Sequence, residues 1–429
     1  VRAAETLADD GTDRGAAAGT RPAGRGRPPA APHHRGTLDG LFSLMARRRG
    51  TGVAVQDEGR SVTYAGAERY AARLATALLR ADVQLGDPVL LHCTDHVQFL
   101  VAQLAVPKLG AVCVPVPRDA DPAALERCAE VSGASLVLCG AALRARWDLP
   151  ALVLDDPAVW SRISRARPEA SLPHSGRTDA AHLLVEHADG TGHLIDHRAW
   201  LLALAARTRR AGSPGPGVAV TGRPGAPEAL SGAWWAFGTG ATLSALPGRV
   251  TLAARPTEHA GTVVLRPADH AAALDAAVPG APARPHTVLL VGEPCPGELV
   301  RRHARMLPRT RLLAEFAPLD GALPWAAVEH PADGATPLSS AVVGHEVPRV
   351  RITIRDAEGR PVEDGRTGVV WASGTALPFD RLGARGRPEG EPPAPAPLAR
   401  SPYLGRRGED GTVEITGGAA RPGPRVHGD

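Results

Sequence analysis

The chain has 429 residues, 43% of them hydrophobic, and 49 Lys and Arg against 45 Asp and Glu leave a formal charge of +4. This composition excludes disordered, fibrous and collagen-like classes and leaves room for two or three core-forming units. Outside the N-terminal tail the positive charge is interspersed with Asp and Glu, so no basic stripe argues for nucleic acid, and no apolar run is long enough to span a membrane.

The first 36 residues are rich in Ala, Arg, Gly and Pro without hydrophobic periodicity, and are expected to be a disordered tail. They also lack the apolar stretch of a signal peptide, so a cytoplasmic protein is expected. Folding is expected to begin at Thr37, a good N-cap, with Leu38, Leu41, Phe42, Leu44 and Met45 at helical spacing. Helices and strands then alternate: helix Tyr64 to Arg80, strand Pro88 to His92, helix Val97 to Lys108, strand Ala111 to Val114, helix Pro122 to Val131 and strand Ser135 to Cys139. A second set runs through Ala181 to Val185, Ala199 to Arg209, Gly217 to Val220, Glu228 to Phe237, Thr262 to Leu265, His286 to Leu290, Glu298 to Met306 and Arg311 to Leu313. This order predicts parallel strands with crossover helices, a layered α/β fold. From Ala341 to Ala372 strands follow one another, turning at Asp356 to Arg360, which predicts a small β-rich subdomain. Arg385 to Pro397, dominated by Pro, Gly and charge, reads as a flexible insertion, with 398–429 as the end of the core.

Five cysteines, Cys93, Cys113, Cys128, Cys139 and Cys295, are odd in number and form no C-x-x-C pair, as expected of reduced core residues. Neither His33-His34 nor His182 with His187 has Cys or carboxylate partners at zinc-site spacing. Lys108 is the single lysine and is expected to be a solvated helix end. Trp234, Trp235 and Phe237 share helical spacing, which suits core better than pocket. There is no G-x-S-x-G for a serine hydrolase.

Two stretches carry a family resemblance. The first is S-V-T-Y-A-G-A-E-R-Y from Ser61, G-D-P-V from Gly86 and F-L-V-A-Q-L-A-V-P-K-L-G-A-V-C-V-P-V-P from Phe99 to Pro117. The second is V-L-L-V-G-E-P-C from Val288 and the run G-H-E-V-P through V-V-W, Gly344 to Trp371. Together they resemble the adenylate-forming (AMP-binding) enzymes, the superfamily of acyl-CoA synthetases and nonribosomal-peptide adenylation domains. The resemblance covers about residues 37 to 418. It implies two layered αβα subdomains with a small β-rich subdomain, followed in the family by a mobile C-terminal domain beyond a hinge. The sequence is expected to end near that hinge.

The resemblance also implies ATP, AMP and magnesium as ligands, and the ATP motifs depart from the family pattern. The phosphate-wrapping loop aligns with Leu183 to Arg198, which keeps Gly190, Thr191 and Gly192 but has no lysine and carries Glu186 and Asp189. Acidic side chains there would repel a polyphosphate. The motif that supplies adenine stacking, a phosphate hydroxyl and a metal carboxylate aligns with Phe316 to Asp320. Phe316 can stack and Asp320 can hold a hard cation, whereas Leu319 has no hydroxyl. Tyr403 stands where the family has an aspartate gripping both ribose hydroxyls. On the acyl side, Pro227 replaces the aspartate that holds a substrate ammonium, with Glu228 beside it, and Glu228, Trp234 and Gly292 are the pocket residues implied. The expectation is a catalytically impaired adenylation core that binds or scaffolds, contacting a carrier protein or biosynthetic partner enzyme. The rival is an active carboxylate-AMP ligase that uses Arg198 for phosphate and a C-terminal domain supplied in trans.

Overall fold

A computed structural model describes residues 36–165, 167–169, 172–186, 190–246, 261–276, 285–319, 321–335, 341–383 and 398–419. The tail expected over 1–36, Gly36 apart, and the insertion expected over 385–397 lie outside the described residues.

The chain opens with helix α1 (Leu38–Arg48), whose Thr37 N-cap accepts the Gly40 amide at 3.3 Å. A hairpin of β1 (Val53–Asp57) and β2 (Arg60–Thr63) follows, turning on Glu58 and Gly59, both at positive φ. Next come α2 (Tyr64–Arg80), β3 (Pro88–His92), α3 (His96–Ala105), β4 (Val112–Pro115), α4 (Pro122–Ser132), β5 (Val137–Cys139), α5 (Ala141–Arg144), β6 (Ala151–Val153) and α6 (Pro157–Arg165). The middle of the chain supplies β7 (Ala180–Val185), β8 (Gly192–Asp196), α7 (His197–Ala211), β9 (Gly217–Val220), α8 (Pro227–Thr239), β10 (Thr242–Ala245), β11 (Thr262–Leu265), α9 (Pro267–Asp275), β12 (Thr287–Gly292), α10 (Gly297–Met306) and β13 (Arg311–Phe316). Strands alone follow: β14 (Ala326–His330), β15 (Ala341–Glu346), β16 (Val350–Arg355), β17 (Gly368–Gly374), β18 (Asp380–Leu382), β19 (Ala399–Arg407) and β20 (Val413–Gly418).

These strands form two sheets. The smaller runs β18-β8-β7-β4-β3-β5-β6, parallel from β7 to β6. The larger runs β16-β17-β19-β20-β15-β14-β13-β12-β11-β9-β10-β1-β2, with β1, β10, β9, β11, β12 and β13 parallel. One apolar cluster joins the sheets: Leu91, Cys113 and Ile195 of the smaller, Val55, Val220 and Leu243 of the larger, and Phe42, Leu74, Leu100 and Trp234 of the helices between them. Because strand residues alternate faces, Val264 enters this inner core while Val263 and Leu265 point outward to α9 and α10. The outer face of the smaller sheet is covered by α4 in the same way. The antiparallel strands from β14 onward close a separate core around Trp325, Ile352 and Val370. The expected two αβα layers with a β-rich subdomain are therefore present.

Lys108 is not a solvated end. Its ammonium sits 2.7 Å from the Glu68 carboxylate and 3.4 Å from the Ser43 hydroxyl, and its side chain is 11% exposed. All five cysteines are free and buried, and burial pushes the Cys295 thiol up to about 12.

Candidate functional site

In an open parallel sheet, ligands bind outside the carboxyl ends of the strands, where loops and helix N-termini converge. Here β10, β9, β11, β12 and β13 present those ends side by side, and two neighbourhoods form along them.

The first is aromatic. Gly292, at φ +105, ends β12 opposite Phe316, and the Ala317 amide donates to its carbonyl at 2.8 Å. Phe316 is 1% exposed. Trp325 packs edge-on at 6.1 Å between ring centroids, and Tyr403 reaches over from β19 at 5.6 Å with its ring tilted 67°. Burial and the neighbouring Glu293 carboxylate raise the pKa of the Tyr403 hydroxyl. The ring expected to stack on adenine is thus covered by the chain's own aromatics, one of them the tyrosine at the aspartate position. Asp320 lies outside the described residues, and so do His187 and Asp189.

Gly190, Thr191 and Gly192 are elsewhere, at the turn between β7 and β8 in the smaller sheet. The sequence reading, which passes from Ala181 to Val185 directly to Ala199 to Arg209, missed β8, which pairs antiparallel with β7. The turn is closed by its own backbone: the Glu186 amide donates to the Thr191 carbonyl at 2.8 Å and the Gly190 amide to Glu186 at 3.0 Å. Glu186 does not project toward a polyphosphate, because its carboxylate meets the buried His193 Nε2 at 2.6 Å. Gly192 is fixed by packing, since a Cβ there would come within 2.8 Å of Val131 and 2.9 Å of Leu183. Arg198 is held by Asp196 at 3.0 Å.

The second neighbourhood is a cleft of about 1010 Å³ at the ends of β10, β9 and β11. The α8 N-terminus brings Glu228 to it, β11 and α9 bring Arg266 and Asp269, the segments after β3 and β4 bring His96 and Arg118, and the β1–β2 hairpin brings Asp57. Glu228 is 7% exposed, and burial raises its pKa above the usual carboxylate range, opposed by Arg266. Its Oε1 would lie 2.6 Å from a Cβ at Gly222, so a side chain there would have to push the carboxylate aside. The Gly222 carbonyl accepts His96 Nε2 at 3.1 Å, and the His96 amide donates to Asp57 at 2.8 Å, which ties the hairpin to the cleft. Gly225, at φ +86, brings the loop before α8 against the Val116 carbonyl. Trp234 is fully buried, with its ring edge-on to His182 and Phe237, and belongs to the core between the sheets. Sequence reasoning missed Asp57, His96, Arg266 and Asp269. The E-G turn between V-A-V-Q-D and R-S-V-T was the signal that could have placed Asp57.

Among the described residues no three His, Cys, Asp or Glu side chains are arranged to hold a metal, and no helix is long and apolar enough to cross a membrane.

Comparison with known proteins extends this geometry. Residues 42–192 match the family model described as AMP-binding enzyme. Novobiocin biosynthesis protein H of Streptomyces niveus is 30% identical over 81% of this chain and 59% of its own length. Phosphinothricin tripeptide synthetase PhsC of Streptomyces viridochromogenes is 26% identical over 90% of this chain and 36% of its own length. The chain thus spans 59% and 36% of these two relatives. The N-terminal subdomain of Klebsiella oxytoca NpsA, solved with 3-hydroxyanthranilyl-AMSN, superimposes with a TM-score of 0.73 at 16% identity, covering 89% of this chain and 99% of that one.

Proposed function

Because the chain belongs to the AMP-binding, adenylate-forming superfamily of the nonribosomal-peptide adenylation type, we propose that it is an impaired adenylation core acting as a binding or scaffold component in bacterial acyl or peptide biosynthesis, with a carrier protein or biosynthetic enzyme as partner. The observation that carries this reading is the covered Phe316 ring, packed by Tyr403 and Trp325 at 1% exposure. Moving Tyr403 aside would forfeit ~0.5–1.5 kcal/mol of ring pairing besides its burial. A tyrosine also cannot supply the two charge-assisted hydrogen bonds of a ribose-binding carboxylate, each worth ~1.5–3 kcal/mol. Together these differences weaken a nucleotide by orders of magnitude, since every ~1.4 kcal/mol is tenfold. The Glu186–His193 pair and the self-closed turn of Gly190 act in the same direction, because the Glu186 and Gly190 amides donate to carbonyls of the turn and are no longer offered to a phosphate.

Thermal melting with and without magnesium-ATP tests the reading. A ligand that binds only the folded chain adds about 2.7 kcal/mol of stability at a hundredfold excess over its Kd. No shift in millimolar nucleotide is expected, and a clear rise would overturn the proposal. The retained aromatic and carboxylate types at Phe316 and Asp320 favour the rival, an active carboxylate-AMP ligase. That rival requires acid-dependent exchange of pyrophosphate into ATP.

A further inference from the structure

A further concavity lies apart from both neighbourhoods. It is a cavity of about 290 Å³ between the last turns of α7 and the β-rich subdomain, and it shares no residue with the cleft or with the aromatic cluster. α7 contributes Arg207, Arg209 and Arg210, and β13 contributes Glu315. Ala206, Ala327, Val347 and Pro348 form its apolar side.

The charges at this cavity do not cancel. Arg207 and Glu315 neutralise each other as a buried pair. Glu329, the carboxylate that feels Arg210 at longer range, is gripped on both oxygens by Arg311 at 2.8 and 2.9 Å. Arg209 and Arg210 are exposed and take no hydrogen bond or ion pair among the described residues. Both guanidiniums, charged at any working pH, are therefore left over. Arginines in the last turn of a helix often serve its dipole. In α7 that end is already served, because the Ala211 carbonyl accepts Arg311 Nη1 at 3.0 Å and the Thr208 carbonyl accepts the Gly212 amide at 3.0 Å.

The buried wall supplies a second, independent observation. Arg207 Nε and Nη2 donate to Glu315, Nη2 donates also to the Ser231 hydroxyl, and Nη1 donates to the Ser231 carbonyl. A guanidinium has five N–H groups and these contacts use four, which leaves one Nη1 donor unmatched on a buried side chain that lines the cavity. A buried donor without an acceptor is costly, and an anionic acceptor entering the cavity would answer it together with the two free guanidiniums.

We propose that this cavity is a binding site for a small phosphate monoester, whose dianionic head meets Arg209 and Arg210 while its carbon body rests on the apolar side. The planar forks of arginine match phosphate oxygens in pairs, and a dianion balances the two uncancelled charges. The volume is at the lower end of the ~300–1,000 Å³ of small-molecule pockets, which suits a ligand of a few carbons. The site goes beyond the impaired-core reading and does not depend on it.

The test is isothermal titration of the intact chain near pH 7.5 with n-butyl phosphate, with inorganic phosphate, with the monoanion diethyl phosphate and, as the opposite charge, with 1,4-diaminobutane. n-Butyl phosphate is expected to bind at one site, at least tenfold more tightly than diethyl phosphate and more tightly than inorganic phosphate, and the diamine to give no heat. Arg209→Gln and Arg210→Gln are each expected to weaken n-butyl phosphate at least fivefold and the double variant to abolish binding, with the melting temperature unchanged because both side chains are exposed. Arg80→Gln, at an exposed arginine ending α2 outside the cavity, is expected to change nothing. No binding of n-butyl phosphate, equal or tighter binding of any of the other three probes, or the same loss in Arg80→Gln as in the cavity variants would each overturn the proposal. Magnesium-ATP melts of the double variant keep the two readings apart. A nucleotide shift that persists there belongs to the nucleotide position and refutes the impaired-core reading alone, whereas a shift lost with the two arginines places the ATP phosphates in this cavity.

Discussion

Removing one partner of the buried Arg207–Glu315 pair should cost the fold heavily for a single substitution. Both residues are 4% exposed. Arg207 Nε lies 3.0 and 3.2 Å from the two Glu315 oxygens and Nη2 closes a second arm, while Nη1 and Nη2 reach the Ser231 carbonyl and hydroxyl at 2.9 and 2.6 Å. The guanidinium also lies 5.6 Å from the Trp235 ring centroid. Three elements, α7, α8 and β13, are therefore joined by one buried cation, one residue before Phe316 enters the aromatic neighbourhood. Glu315→Ala leaves that cation unpaired, and breaking a buried pair in this way costs ~3–5 kcal/mol. Replacing both partners by apolar residues of similar size, Arg207→Met with Glu315→Leu, removes the desolvation cost as well as the attraction and should cost far less than the two single losses combined. Urea melts of the single and double variants, followed by tryptophan fluorescence, measure the cycle. If Glu315→Ala costs under ~1 kcal/mol, or the double variant costs the sum of the singles, the pair does not hold these elements as argued.

Acid should loosen the layer of α9 and α10, where His270 Nε2 meets His303 Nδ1 at 3.0 Å and His303 Nε2 meets the Thr310 carbonyl at 2.9 Å. Burial lowers His270 to about 3 and His330 to about 4, and it lowers His303 too. The unfolded chain therefore binds protons first as pH falls. Stability is full above about pH 6.5 and declines below it by up to ~1.4 kcal/mol per pH unit for each such histidine. Tm measured from pH 7 to pH 4 should fall, less steeply in His270→Gln, and an equally steep fall in that variant would exclude His270 as a source. Gly225→Ala places a Cβ 2.5 Å from the Val116 carbonyl oxygen at φ +86, whereas Gly59→Ala, at φ +80, meets nothing within 4 Å. The second should cost only the ~1–2 kcal/mol of a left-handed alanine and the first clearly more, as chemical denaturation of both would show. Tyr403→Ala should expose Phe316 and give a larger melting shift in AMP than the unmodified chain, and an unchanged response would mean that the aromatic cover does not limit nucleotide entry.

What the sequence disclosed and what it hid divide along physical lines. Helices such as α2 and α7 were legible because their apolar faces repeat every three to four residues over several turns, and the parallel strands because they are short, unbroken Val and Leu runs between turn signals. The hairpin of β1 and β2, and strand β8, were not. Each is only four or five residues long, and G-H-L-I-D mixes buried histidine and aspartate with two apolar residues. Lys108 was misplaced for a related reason: a lysine at a helix end is usually solvated, and nothing local announces that Glu68 will lie beside it. Trp234 shows the reverse case, where helical spacing with Trp235 and Phe237 already described a core face.

The same division explains the candidate site. Motif comparison identifies which residue type stands at each family position, and so it finds Phe316, Tyr403 and Glu228 one at a time. It does not show that Tyr403 lies on Phe316, or that Glu228 faces Arg266 and Asp269 rather than solvent, because those contacts join β19 to β13 and α8 to α9 through the packing of the whole fold. Read singly, the substitutions at the nucleotide position are losses. Read with their partners, Tyr403 gives apolar cover to Phe316, and Glu186 is hydrogen-bonded to the His193 ring. A site that had simply lost its ligand would be expected to leave polar groups without partners, at ~1–3 kcal/mol each. Here the Phe316 ring is covered and the Glu186 carboxylate is partnered, while Trp325 Nε1 and His193 Nδ1 stand buried without a hydrogen-bond partner among the described residues, so the site is only partly refitted to the loss.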